Sequence, residues 1–133
     1  MKSILFTIAV GLASLFTPVF AQDIRNEQVQ FAHGSSGITI KDTIVGYQSV
    51  NYTLNARAGQ SMTVTLNTDN ASNYFNIFTK ASGDEALFIG SINGNSYQDK
   101  LPADGIYTVQ VFLMRNAARR NEKANYTLDI SID

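Results

Sequence analysis

The sequence predicts an all-β fold, an antiparallel β-sandwich of about eight short strands, behind an N-terminal signal peptide that is removed on export. Three observations carry this expectation. Apolar and polar residues alternate at period two in run after run. Turn-forming residues separate those runs at short intervals. No segment beyond the leader keeps a helical period for longer than about ten residues.

The leader comes first. Lys2 supplies a positive start, Ile4 to Phe16 is a nearly unbroken apolar stretch, and Pro18 ends any helix. Val19-Phe20-Ala21 then offers small residues at the two positions a signal peptidase reads, which predicts cleavage after Ala21. The apolar stretch is shorter than the roughly 20 residues a membrane span needs. No cysteine follows it to carry a lipid. The expected organisation is therefore a signal peptide at 1–21 and a single domain at 22–133, periplasmic or secreted, with no stable membrane anchor.

Composition narrows the function classes. The chain of 133 residues carries a formal net charge of −1, and loss of Lys2 with the leader makes it more negative. Nucleic-acid binding requires a strong basic excess, so that class is set aside. Cysteine is absent, so no disulfide holds the domain even in an oxidising compartment. A small exported domain without disulfides fits a bacterial periplasm. The sequons at Asn51, Asn70 and Asn125 are then ordinary strand and turn residues.

The strands follow in order. Tyr52, Leu54 and Ala56 alternate with polar neighbours, and so do Met62, Val64 and Leu66. The run from Ile106 to Met114 is apolar on nearly both faces, the pattern of a central strand. Tyr126, Leu128, Ile130 and Ile132 form the cleanest alternation, with Thr127, Asp129 and Ser131 facing the other way. β-branched and aromatic residues dominate these runs. Ala58-Gly59-Gln60 reads as a tight hairpin; Thr68 to Ser72, Ser82-Gly83-Asp84, Asn93-Gly94-Asn95 and Pro102 to Gly105 are further breaks.

One connection differs in kind. Arg115 to Lys123 holds Arg115, Arg119, Arg120 and Lys123 against the single acid Glu122, and contains neither Gly nor Pro. Its flanking strands read as a hairpin, from which this basic loop would project at one end of the sandwich. Binding residues concentrate on loops of this sort. Guanidinium groups suit carboxylate partners, because they make paired hydrogen bonds and keep their proton.

Catalysis finds little support. The only histidine is His33, and Asp84, Glu85, Asp99 and Asp104 sit at turns without ligand spacing, so no metal is expected. His33 beside Ser35 and Ser36 lacks the strained nucleophile and oxyanion hole of a serine triad. The glycines near it are followed by neither Lys nor a helix start, so no phosphate loop is present. The chain reads as a non-enzyme with no cofactor.

Leu113-Met114-Arg115-Asn116-Ala117-Ala118-Arg119-Arg120-Asn121, followed by Ala124 to Ile130, resembles the C-terminal part of the periplasmic inhibitors of goose-type lysozyme. Gly46-Tyr47, Tyr52-Thr53, Ala58-Gly59-Gln60 and Leu101 to Gly105 agree with that family in order and spacing. The similarity runs from about Val45 to the end and is poor over Thr68 to Asn95. The resemblance implies a β-sandwich that places part of its surface in the active-site cleft of a goose-type lysozyme. Arg115, Arg119 and Tyr47 are the implied contacts, Asn116 shapes or joins the contact, and Arg120 is a supporting charge. Such a cleft offers an acidic catalytic group for an arginine to meet.

A second reading is a peptidoglycan- or carbohydrate-binding sandwich that uses tyrosines on one open face; Tyr47, Tyr74, Tyr97 and Tyr107 are the available ones. A structural or adhesion subunit is a third. The expected partner is goose-type lysozyme, with no nucleic acid. The sequence leaves the oligomeric state and the strand order open.

Overall fold

A computed structural model describes residues 23–83 and 85–133. The expected leader at 1–21 and its cleavage site lie outside the described residues, as does Asp84. The described residues form nine strands rather than about eight. These are β1 (Ile24–Gln28), β2 (Gly37–Val45), β3 (Ser49–Ala56), β4 (Ser61–Thr68), β5 (Asn73–Thr79), β6 (Phe88–Ile89), β7 (Ser96–Lys100), β8 (Gly105–Leu113) and β9 (Lys123–Ile132). A 3-10 turn at Lys80–Ser82 and two short helices, α1 (Gly90–Asn93) and α2 (Arg115–Arg119), complete them.

The strands build two sheets, ordered β1-β3-β8-β5-β6 and β2-β9-β4-β7. Pairing is antiparallel throughout except between β1 and β3, which run parallel. The expected sandwich is thus present, and the alternating residues fill its core. Tyr52, Leu54, Val109, Val111, Phe75 and Ile77 face inward from the first sheet, and Met62, Val64, Leu128 and Ile130 from the second. β8 sits at the centre of its sheet, as expected, but only its inner face is buried, and Ile106 on the outer face is exposed.

Two expected hairpins are corrected. Ala58 to Gln60 joins β3 to β4, and the basic loop joins β8 to β9, yet both connections cross from one sheet to the other. The reason is edge occupancy. β3 is flanked by β1 and β8, and β8 by β3 and β5, so neither has a free edge for the next strand. Each of β4 and β9 instead buries its apolar face from the opposite sheet.

Without disulfides, polar ties help join the layers. The hydroxyls of Tyr52 (β3) and Tyr126 (β9) meet at 2.7 Å inside the core. Arg25 on β1 pairs with Asp42 on β2, linking the two sheets at their open side. At one end the Tyr107 hydroxyl donates to the Ala103 carbonyl at 2.7 Å, closing a tyrosine corner before β8. The Ala58–Gln60 turn is fastened to the same end, where the Gly59 amide donates to the Leu101 carbonyl at 2.8 Å. β3 and β8 run from that end to the other, where the basic loop lies.

Candidate functional site

Three connections gather at the far end of the sandwich: the β2–β3 turn, the β4–β5 loop and the β8–β9 segment that contains α2. The first carries Tyr47, and the third carries Arg115, Asn116, Arg119 and Arg120. The fold therefore brings all five expected residues to one end, from two separate connections.

The β8–β9 segment is more ordered than an open loop. It starts where the Met114 amide donates to the Ser72 carbonyl at 2.9 Å, and makes one helical turn. Ala117 and Ala118 are buried against the core, so Arg115, Asn116, Arg119 and Arg120 are left on the solvent side. The turn ends in a Schellman motif. The Asn121 amide donates to the Ala118 carbonyl at 2.9 Å and the Glu122 amide to the Ala117 carbonyl at 3.1 Å. Asn121 takes the left-handed conformation this motif needs, with φ of 57°. Asparagine serves there because it tolerates that region better than most side chains.

The β2–β3 turn is pinned to this motif. The Gly46 amide donates to the Glu122 carbonyl at 2.9 Å, and Gly46 itself has φ of 62°. Gln48 closes the turn from both sides. Its amide donates to the Val45 carbonyl at 3.1 Å, and its Oε1 accepts from the Val45 amide at 2.9 Å. Tyr47 stands at the tip with 44 % of its surface exposed.

The β4–β5 loop supports the other side. Asn70 Nδ2 donates to Glu122 Oε1 at 3.0 Å and to the Lys123 carbonyl at 3.1 Å. Arg120 bonds the second oxygen of Glu122, with Nε at 2.8 Å. The hydrogen bond from Asn70, and then that from Arg120, holds the Glu122 carboxyl below the usual glutamate range. Asp69 is lowered likewise by the Asn125 side chain and backbone, which bond it at 2.8 and 2.9 Å.

This separates the expected residues by role. Among the described residues no carboxylate lies within ion-pair distance of Arg115 or Arg119, whereas Arg120 is engaged by Glu122. Asn116 turns its Oδ1 to the Ala117 amide at 2.9 Å, a local bond that shapes the first turn of α2. Sequence reasoning misses Gly46, Asn70, Asn121 and Glu122 in their role of holding the three connections together. An asparagine after a basic, alanine-containing run is a readable signal for a left-handed cap; the contact from Asn70 has no local signal. Met114 also goes without a role in the sequence reading, and it is 37 % exposed beside Arg115.

The tyrosines of the glycan-binding reading do not share one face. Tyr97 and Tyr107 are buried in the core, while Tyr47 is exposed and Tyr74 half-buried. Among the described residues, no helix is long and apolar enough to cross a membrane.

No protein-family model matches the chain. A curated protein described as an inhibitor of g-type lysozyme, from Escherichia coli (strain K12), is 32 % identical over 125 residues, covering 93 % of either chain. The crystal structure of a periplasmic lysozyme inhibitor of g-type lysozyme from Aeromonas hydrophila superposes with a TM-score of 0.76 at 36 % identity. The match covers 85 % of this chain and 100 % of that one. The corresponding Salmonella Typhimurium protein gives 0.64 at 30 % identity, over 82 % of this chain and 98 % of its own.

Proposed function

The chain belongs to the family of inhibitors of g-type lysozyme, and from that premise we propose that it blocks such an enzyme with the three-connection end of its sandwich. The protein is an inhibitor rather than an enzyme, acts in the periplasm as the solved relatives are described to do, and shields peptidoglycan from hydrolysis. The exported form is the domain that follows the leader.

The observation that carries the site is the joining of the Tyr47 turn to the arginine segment through Gly46 and Glu122. It makes one rigid surface out of an exposed aromatic and two arginines that have no ion-pair partner among the described residues. Rigid presentation limits the ordering cost of binding. In the enzyme's cleft, Arg115 and Arg119 meet carboxylate oxygen through charge-assisted bonds, strengthened as water leaves. Tyr47 adds apolar area and one hydroxyl at the rim. Arg120 stays with Glu122 and contributes its field, and Asn116 keeps the turn in shape.

The test is a cell-wall turbidity assay in which the purified protein is titrated into goose-type and chicken-type lysozymes. The expected result is saturable 1:1 inhibition of the goose-type enzyme alone. Absence of inhibition at large excess, with the protein folded and sedimenting with purified peptidoglycan, would establish the glycan-binding reading instead.

A further inference from the structure

A fourth connection reaches the arginine end of the sandwich. β6 runs antiparallel to β5, with Phe88 beside Ile77 and Ile89 beside Asn76, and so carries the chain toward the end of β5 that pairs with Leu113. α1 follows directly and leads into β7. This turn is firmly seated. A Cβ on Gly90 would lie 2.4 Å from the Phe75 carbonyl oxygen, so α1 rests on the β5 backbone itself. The Gly94 amide donates to the Gly90 carbonyl at 2.7 Å, and the Asn95 carbonyl accepts from the Leu66 amide at 2.9 Å. Asn95 Nδ2 donates to the Asn73 carbonyl at 3.2 Å, and the buried Asn73 side chain donates in turn to the Phe112 carbonyl at 2.9 Å. One residue before Asn73, the Ser72 carbonyl accepts the Met114 amide that opens the arginine segment. The α1 turn is thus joined to that segment through Asn73 and its neighbour. Ile92, within this turn, is 74 % exposed.

Exposed apolar bulk is concentrated at this end. Five large apolar side chains are exposed among the described residues: Ile24, Tyr47, Ile92, Ile106 and Met114. Ile24 pairs with Ser49 at the foot of the Tyr47 turn, and Met114 precedes Arg115, so four of the five stand at the arginine end. Ile106 stands at the other, near the start of β8. Resting on the inhibitor reading above, we infer that Ile92 is an apolar anchor of the lysozyme-binding surface, buried on association against an apolar patch of the enzyme outside its catalytic cleft. The Tyr47 turn leaves the edge strand β2, whereas α1 joins the edge strands β6 and β7 on the opposite side, so the two exposed side chains flank the arginine segment. A stable protein–protein contact covers about 800 Å² and roughly 20–30 residues on each partner. Tyr47 and the arginine segment fall short of that, and the α1 turn occupies the adjoining ground at the same end. Its seating on β5 and Asn73 limits the ordering cost of binding. Ile92 offers no hydrogen bond, so a polar enzyme surface would lose hydration against it without compensation, whereas an apolar one has none to lose.

The experiment measures association and dissociation rates with a goose-type lysozyme. It compares the wild type, Ile92→Ser, Ile92→Leu, Ile106→Ser and the double variant Arg115→Ala/Arg119→Ala. Thermal unfolding verifies the fold, and sedimentation verifies the state of the free protein. Ile92→Ser is expected to dissociate about tenfold faster at unchanged thermal stability, because the side chain it removes is buried only on association. Ile92→Leu keeps the apolar volume and is expected to stay within about threefold of the wild-type rate. Ile106→Ser makes the same change at the opposite end and is expected to behave as wild type. A wild-type rate for Ile92→Ser, alongside a weakened arginine variant, overturns the anchor and leaves the inhibitor site standing. A loss in Ile106→Ser as large as in Ile92→Ser overturns it too, as does a dimer of the free protein that Ile92→Ser dissociates, which would assign the side chain to self-association. Wild-type rates for the arginine variant overturn the arginine site itself, and the anchor with it.

Discussion

A Cβ on Gly46 would stand 2.6 Å from Oδ1 of Asn121, closer than real side chains approach. Both residues hold left-handed backbone, at φ of 62° and 57°. The turn that carries Tyr47 and the cap that ends the arginine helix are thus fitted to one another, with glycine at 46 because its left-handed backbone strains any other residue and a Cβ there would push the Asn121 side chain aside.

Gly46→Ala is therefore expected to destabilise the protein and weaken inhibition together. The left-handed backbone alone costs an alanine about 1–2 kcal/mol, and the contact with Asn121 adds to that. Asn121→Gly keeps the left-handed cap and removes the obstructing atom. The pair Gly46→Ala/Asn121→Gly should regain part of the loss, as urea unfolding and inhibition titrations would register. Equal stability of Gly46→Ala and wild type would show that the two connections are not held against each other.

The arginines are expected to separate sharply. Arg115→Ala and Arg119→Ala each remove a guanidinium with no ion-pair partner among the described residues, and each should cost about 2–5 kcal/mol of binding. Arg120→Ala breaks an exposed pair with Glu122 and should change inhibition by less than about threefold. Isothermal titration of each variant against a goose-type lysozyme measures this. An Arg120→Ala loss as large as that of Arg119→Ala would mean that Arg120 leaves Glu122 to enter the cleft.

The strands are legible in the sequence because a buried face forces a period of two, and that period alone places Met62, Val64, Leu128 and Ile130. Sheet membership is not legible. A turn such as Ala58-Gly59-Gln60 has the same composition whether it closes a hairpin or carries the chain across the sandwich. What decides is whether β3 has a free edge, and that depends on β1 and β8, which lie far apart in sequence. The site shows the same limit. Arg115 and Arg119 stand out as a basic run and through resemblance, whereas the hold of Asn70 on Glu122 spans 52 positions and leaves no local trace.

That hold predicts an acid-sensitive site. The Glu122 carboxyl titrates below the ordinary glutamate value of about 4.3, chiefly through Asn70 and then Arg120. A lowered folded-state pKa gives a stabilising contribution that is full above the unfolded value and lost as pH falls through the folded one. The three-connection end should be intact from about pH 5 upward and loosen in stronger acid. Carbon NMR of the Glu122 carboxyl is expected to show a midpoint under about 4.3 in the wild type and a higher one in Asn70→Ala. A wild-type midpoint at or above the ordinary value would contradict the network.

Inside the core, the Tyr52–Tyr126 contact makes a different prediction, about how a sandwich without disulfides is held. Both phenols are buried, and burial pushes both upward from their ordinary range, so they remain neutral across the physiological span. Tyr52→Phe leaves the Tyr126 hydroxyl in the core without its partner, and Tyr126→Phe does the reverse. Each single change should cost about 1–3 kcal/mol, the penalty of a stranded buried hydroxyl. Replacing both removes the stranded group along with the bond, so the double variant should be less destabilised than the two singles added together. Inhibition should be unchanged in all three, because both side chains are buried between the sheets and their hydroxyls bond each other rather than any residue of the basic segment. A urea-unfolding double-mutant cycle measures the coupling. Strict additivity would mean that the two hydroxyls do not depend on each other, and that apolar burial alone joins the layers at this point.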